Sequence, residues 1–144
     1  MLKGSKTAEN LMKSFAGECQ ARTRYTYYSS IAKKEGYIQI ANIFMETAEQ
    51  EKEHAKIFLK FLKSEYNDEE IEIKASYPVA LHEETKNNLM KAADGENAEW
   101  TKDYPQFAQI AKKEGFNKIA MAYEKIAKIE ARHERRYRRL LNNM

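Results

Sequence analysis

The segment AKKEG occurs twice, at Ala32–Gly36 and Ala111–Gly115, each time followed by an aromatic residue, Tyr37 or Phe116, so the copies stand 79 residues apart. A chain that repeats a helix ending halfway along its length is held to building two similar halves. In each copy the lysines suit the last turn of a helix, where they meet the negative end of the macrodipole, and the glycine suits the left-handed residue that stops it. Helix A is predicted from Thr7, as N-cap, to Glu35, and helix B from Ile38 to Ser64. Residues 65–80, EYNDEEIEIKASYPVA, read as a connection, from their mixed composition and Pro78. Helix C is predicted from Leu81 to Glu114 and helix D from Asn117 to Asn142. Two short turns and one long crossover describe an all-α four-helix bundle, A paired with B and C with D, in which residues 1–144 form one domain.

The register of the halves can be followed residue by residue. The apolar rhythm of helix B puts Ile40, Phe44, Thr47, Glu51, His54, Phe58 and Phe61 on its inward face, and adding 79 gives Ile119, Tyr123, Ile126, Glu130, His133, Tyr137 and Leu140 in helix D. Both faces are interrupted at the same place by a glutamate and a histidine three residues apart. The inward set of helix A is Leu11, Ser14, Glu18, Ala21, Tyr25, Tyr28 and Ala32; that of helix C is Leu89, Ala92, Glu96, Glu99, Tyr104, Phe107 and Ala111. Here the offset is 78 up to Glu99 and 79 from Tyr104 onward, so helix C carries one additional residue and a glutamate where helix A has Ala21. A seven-residue step, Glu18 to Tyr25, returns within about 20° of one helix face, whereas the eight-residue step from Glu96 to Tyr104 leaves the pair about 80° askew in a regular helix. One π-bulge between Glu99 and Tyr104, with an i to i+5 hydrogen bond, restores the common face. Pro105, just beyond, lacks an N–H that such a turn does not need.

Glu18, Glu51, Glu96, Glu99 and Glu130 thus converge at mid-bundle with His54 and His133. Desolvating one carboxylate costs on the order of several kcal/mol, and only cations make five tolerable. Two divalent ions would balance four carboxylates, and a shell of oxygen and imidazole suits iron or manganese rather than a thiolate-seeking metal. One Glu from each of two helices plus Glu-x-x-His from each of the other two is the arrangement of ferritin-like dimetal carboxylate bundles. The single cysteine, Cys19, excludes a disulfide framework and a multi-thiolate site, and points to a reducing, cytoplasmic setting. The opening MLKGSKTAEN has no apolar core of a signal peptide, and no apolar run is long enough to predict a membrane span. A net charge of +3 is too mild to predict a nucleic-acid partner.

At these residues the chain resembles the rubrerythrin family, specifically its dimetal bundle. FAGECQARTRY, TAEQEKEHAKIFLKFL, GENAEWTKDYPQFAQIAKKEG and IEARHE all look like that family, so the resemblance covers essentially the whole chain. It implies two iron ions, with manganese or zinc as alternative occupants. Glu51 and Glu130 would bridge them; Glu18 and His54 would serve one ion, Glu96 and His133 the other. Glu99 would be the family's additional carboxylate, exchanging with His54 as a ligand of one iron and joining Tyr25 and Tyr104 as the catalytic groups. The implied activity is that of a nonheme di-iron peroxidase, reducing hydrogen peroxide to water in oxidative-stress defence, with dioxygen as a second oxidant. The paired Cys-x-x-Cys motifs of a rubredoxin module are not in this sequence, so it reads either as a single-domain, sulerythrin-like form or as the bundle part of a longer protein; in either case the expected electron donor lies outside this sequence, such as a separate rubredoxin.

A homodimer is the expected assembly, and the crossover would let the A–B pair of one chain combine with the C–D pair of another. The alternative functions are ferroxidase activity feeding an iron store, and a bundle merely braced by its metals. Gly17 and Gly95 precede site glutamates inside helices, where Gly costs about 1 kcal/mol relative to Ala; close helix approach or room beside the metal would explain both. Cys19 reads as a small semi-buried side chain, His82 as solvated and Trp100 as packing. Arg132, Arg135, Arg136, Arg138 and Arg139 read as a solvated basic helix end, with docking of an acidic electron-transfer partner, or less favourably of nucleic acid, as the functional rival.

Overall fold

The computed structural model describes residues 1–144. Its helices are α1 (Lys6–Lys34), α2 (Ile38–Tyr66), α3 (Thr85–Ala98), α4 (Tyr104–Lys113) and α5 (Asn117–Asn142). A π-helical turn, Glu99–Asp103, joins α3 to α4, so the three form one rod in place of predicted helix C. The result is a four-rod, ferritin-like bundle in which α1 packs most closely on α2, and the α3–α4 rod on α5.

Two predicted boundaries need correction. Ser5, not Thr7, caps α1: its side chain accepts from the Ala8 N–H, while Thr7 lies within the first turn. The third rod begins at Thr85 and not at Leu81. Asn88 Oδ1 accepts from the His82 N–H at 2.9 Å and its Nδ2 donates to the His82 carbonyl at 2.8 Å, which holds the entering chain extended. His82 is accordingly half-buried, not solvated.

Both AKKEG copies end their helices in the same way. Gly36 and Gly115 have φ of +87° and +90°, a region closed to most side chains. The Tyr37 N–H reaches back to the Ala32 carbonyl at 2.9 Å, and the Phe116 N–H to the Ala111 carbonyl at 2.8 Å. The glutamate of each copy caps a helix of the other half. Glu35 accepts the Thr85 N–H at 2.7 Å and the Thr85 hydroxyl; Glu114 accepts the Thr7 N–H at 2.8 Å and the Thr7 hydroxyl. Each carboxylate therefore meets free N–H groups at the positive end of a helix dipole, and the threonine bonds hold both below the usual carboxylate range. The repeated segment ties the two halves together end to end.

The predicted inward stripes are buried except at Glu99, Phe107 and the helix ends, where Phe61 and Leu140 are half-buried and Leu62 takes the core place of Phe61. An α-helix drifts against a 3-4 repeat, and by the last turn the drift moves burial to the neighbouring residue. One apolar cluster holds Tyr25, Tyr28, Phe44 and Tyr137, the other Leu11, Phe58, Tyr104 and Tyr123. The crossover, residues 67–84, turns away from α2 through Asn67 and Asp68 at φ of 46° and 75°. It then passes over α1, tethered where Tyr77 donates to the Lys13 carbonyl at 2.7 Å and Tyr28 to the Ala80 carbonyl. No helix is long and apolar enough to cross a membrane.

Candidate metal centre

The fold brings six charged side chains together between the aromatic clusters, one or two from each rod. Glu18 comes from α1, Glu51 and His54 from α2, Glu96 from α3, Glu130 and His133 from α5, and all six are buried. His54 Nδ1 lies 3.4 Å from Glu18, 3.7 Å from Glu51 and 3.2 Å from Glu130. His133 Nδ1 lies 3.3 Å from Glu51, 3.4 Å from Glu96 and 3.6 Å from Glu130. Ligand atoms of Glu18, Glu51, His54 and Glu130 fall within 4.8 Å of one another, as do those of Glu51, Glu96, Glu130 and His133. Glu51 and Glu130 belong to both groups, which is the geometry of two cation seats sharing a pair of carboxylates.

The polar atoms of this layer fit metals and little else. Both oxygens of Glu51 and of Glu130, Glu18 Oε2, Glu96 Oε2 and both histidine Nδ1 atoms are buried without a hydrogen-bond partner. A buried unpartnered carboxylate is a strongly destabilising feature, and divalent cations remove the penalty. Burial pushes Glu51 and Glu130 well above the usual carboxylate range, and the charges of neighbouring acids push them further. Glu18 is also pushed up by burial, but the closeness of the Glu51 carboxyl and the His54 ring, with the hydrogen bond from Tyr104, brings it out low.

Around the seats, three side chains orient ligands. Tyr25 donates to Glu96 Oε1 at 2.7 Å, and Tyr104 donates to Glu18 Oε1, so corresponding phenols hold corresponding glutamates. Burial first, and then those carboxylates, raise both phenols far above their ordinary range, which keeps them protonated donors. His133 Nε2 meets Gln50 Oε1, which leaves Nδ1 to face the seat. The position in α5 corresponding to Gln50 is Ile129, and His54 has no such support.

Glu99 stands apart. It lies in neither cation seat, is half-buried, and sits at the start of the π turn, whose closing bond runs from the Tyr104 N–H to the Glu99 carbonyl. That i to i+5 bond absorbs the additional residue and returns Tyr104 to the face of Glu96, as the spacing predicts. The Tyr104 phenol lies 2.9 Å from Glu99 Oε2, linking Glu99 to Glu18 through one oxygen. Burial raises Glu99 well above the carboxylate range, helped by Glu18 and Glu96.

Some functional contacts were not legible in the sequence. Gln50 lies off the inward stripe of α2, and no spacing rule marks it. Trp100, expected only to pack, donates from Nε1 to Glu134 Oε1 at 2.6 Å and so fastens the π turn to α5. Of the arginines, Arg136 pairs with Glu46, and Arg138 with Asp94 and Glu134. Cys19 is half-buried, its thiol pushed up by burial and by Glu18, which suits an unreactive side chain.

Comparison with known proteins gives the family and the fold. The Rubrerythrin family model matches residues 9–141. The chain is 60% identical to a rubrerythrin of Clostridium perfringens over 143 residues, 99% of this chain and 73% of that protein. It is 47% identical to a rubrerythrin of Nitratidesulfovibrio vulgaris, over 94% of this chain and 69% of that one. A solved structure of nigerythrin, described as fully reduced and all ferrous, superimposes with a TM-score of 0.85 at 31% identity, covering 99% of this chain and 72% of that chain.

Proposed function

Because this chain belongs to the rubrerythrin family, we propose that it reduces hydrogen peroxide to water at a pair of iron ions held by Glu18, Glu51, His54, Glu96, Glu130 and His133. The observation that carries this reading is the layer of partnerless buried ligand atoms, arranged as two seats with Glu51 and Glu130 in common. When bound, the iron pair supplies the two electrons of the reaction, in which the O–O bond breaks and two protons are taken up. The protein's own groups position and protonate. Tyr25 and Tyr104 fix Glu96 and Glu18, and Gln50 fixes His133. His54 lacks a counterpart of Gln50, and Glu99, linked to Glu18 through Tyr104, would be the carboxyl to exchange with it as a ligand of one iron. A carboxyl that holds a proton there also serves as general acid to the departing oxygen, a role worth roughly 10²–10⁴ in rate. An external donor, for which a rubredoxin is the expected class, restores the electrons.

The test is anaerobic loading with ferrous iron followed by rapid mixing with peroxide or with dioxygen. Two ions per chain are expected, with Glu51→Ala and Glu130→Ala each losing paired binding, and faster oxidation by peroxide than by dioxygen. Glu99→Ala should bind both ions yet lose most of the peroxide rate, whereas His54→Ala should lower ferrous occupancy. Saturation of the wild-type protein at one ion defeats the reading.

A further inference from the structure

Between α1 and the α3–α4 rod lies a cavity of about 530 Å³, roofed by Tyr77 of the crossover. Its wall is built from corresponding residues of the two halves: Gly17 and Gly95, Ala21 and Glu99, Tyr25 and Tyr104. The buried phenols Tyr25 and Tyr104 mark its inner end, against the seat carboxylates they bond, while the exposed Lys91 and Asp94 mark its mouth.

The two helical glycines now have a reason. A Cβ at Gly95 meets nothing within 4 Å, and one at Gly17 touches only Tyr77 Cε1 at 3.4 Å, an ordinary contact. Neither position is needed for close approach of two helices. Both leave room, at about 1 kcal/mol of helix propensity each.

That room exceeds what hydrogen peroxide requires. A water molecule occupies about 30 Å³ of liquid, and hydrogen peroxide is only slightly larger. The cavity instead falls in the range of roughly 300–1,000 Å³ typical of pockets for organic molecules, which are lined by aromatic and small apolar groups with a few polar ones. The lining here is mixed: Tyr25, Tyr28, Tyr104 and Phe107 stand beside alanines and glycines, and Lys13, Arg24, Lys91, Asp94, Glu99 and Asp103 add charge, so an organic group would rest on the aromatic and alanine side.

We propose that this cavity receives the organic portion of alkyl and aryl hydroperoxides, with the hydroperoxy group at the inner end beside Glu99 and Tyr104. The inference rests on the peroxidase reading above and names a second substrate class for it. The reaction balances as ROOH plus two electrons and two protons giving ROH and water. The O–O bond breaks, the electrons come from the ferrous pair as it becomes ferric, and the protons come ultimately from solvent.

Two measurements test this. In the first, the metal-free full chain is titrated with cumyl alcohol, the unreactive product of cumene hydroperoxide, and followed by NMR. Saturable shifts at Gly17, Tyr77 and Gly95 are expected, and Gly95→Leu should weaken binding at least tenfold. Leucine has the better helix propensity and meets no atom at its Cβ, so this variant should fold, which its helical circular dichroism and unfolding temperature check; Gly95→Ala, which adds one methyl, controls for propensity and should keep binding. In the second, iron-loaded protein is mixed separately with cumene hydroperoxide and hydrogen peroxide. Both should oxidise it, and Gly95→Leu should slow the cumene hydroperoxide reaction at least tenfold more than the other. Absence of saturable alcohol binding, or hydrogen peroxide turnover without cumene hydroperoxide turnover, overturns the inference alone. Absence of both reactions overturns the peroxidase reading, and the inference with it.

Discussion

Tyr25 and Glu96 are joined by a 2.7 Å hydrogen bond that crosses from the first helix pair to the second, and Tyr104 returns the same bond in the opposite direction to Glu18. Replacing either phenol by phenylalanine leaves a buried carboxylate oxygen without its donor, a loss of about 1–3 kcal/mol. Tyr104→Phe should be the more destabilising, because its oxygen also meets Glu99. Thermal unfolding of both variants in the metal-free state decides this, and a Tyr104→Phe protein as stable as wild type contradicts it.

Stability of the metal-free protein should fall as pH rises. Burial raises Glu51, Glu99 and Glu130, so each binds its proton more tightly folded than unfolded. Their contribution is complete below the unfolded carboxylate pKa of about 4.3 and is lost as pH climbs through the folded values. Glu18, Glu35 and Glu114 are shifted down and act in the opposite sense, their contribution being present above the unfolded value and lost as pH falls through the folded ones. Divalent metal replaces the protons of the raised acids, so the gap in unfolding temperature between loaded and metal-free protein should widen from mildly acidic to mildly alkaline pH. A gap that narrows over that interval speaks against the seats.

The π turn can be removed by deleting one exposed residue, Thr101, together with Pro105→Thr, which gives this rod the residue that α1 has there, Thr26, and avoids a proline inside a regular helix. The step from Glu96 to Tyr104 then becomes seven, as in α1, and a regular helix keeps both on the site face. The deletion variant should fold, retain two metal ions and show an uninterrupted rod, but lose peroxide rate because Glu99 is carried to a position like that of Ala21. Full peroxide activity in a variant with an unbroken α-helix would show that the turn does not matter to chemistry.

Gln50→Ala should release His133. Loss of the contact at Nε2 frees the ring to rotate and to change tautomer, and outer contacts of this kind are worth roughly 10–100-fold in metal affinity. Ferrous titration should show one site weakened and the other little changed, which the equivalent Ile129→Ala substitution should not reproduce.

Most of the bundle could be read from periodicity because helix packing leaves a record in every turn. The candidate ligands lie on inward stripes, so the rhythm that places Phe44 and Phe58 in the core also places Glu51 and His54 there. The π turn was legible only because a second copy of the helix existed for comparison; without α1, an eight-residue step carries no meaning. Gln50 and the Glu35–Thr85 cap were invisible for a different reason. Each joins a side chain off the core stripe, Gln50 or Glu35, to a buried residue of another helix, and nothing in one strand of sequence records which residue such a side chain will meet.

Each cation seat takes three residues from one helix pair and one from the other: Glu130 completes the seat of Glu18, Glu51 and His54, and Glu51 completes that of Glu96, Glu130 and His133. Neither pair closes a seat alone, and the covalent link between them is the crossover, where Val79 is fully exposed. Cutting the chain there turns ligation into a bimolecular event. The two fragments become a two-part sensor: the apolar layers and end caps give them a basal affinity, and their dissociation constant should fall as the free metal concentration rises.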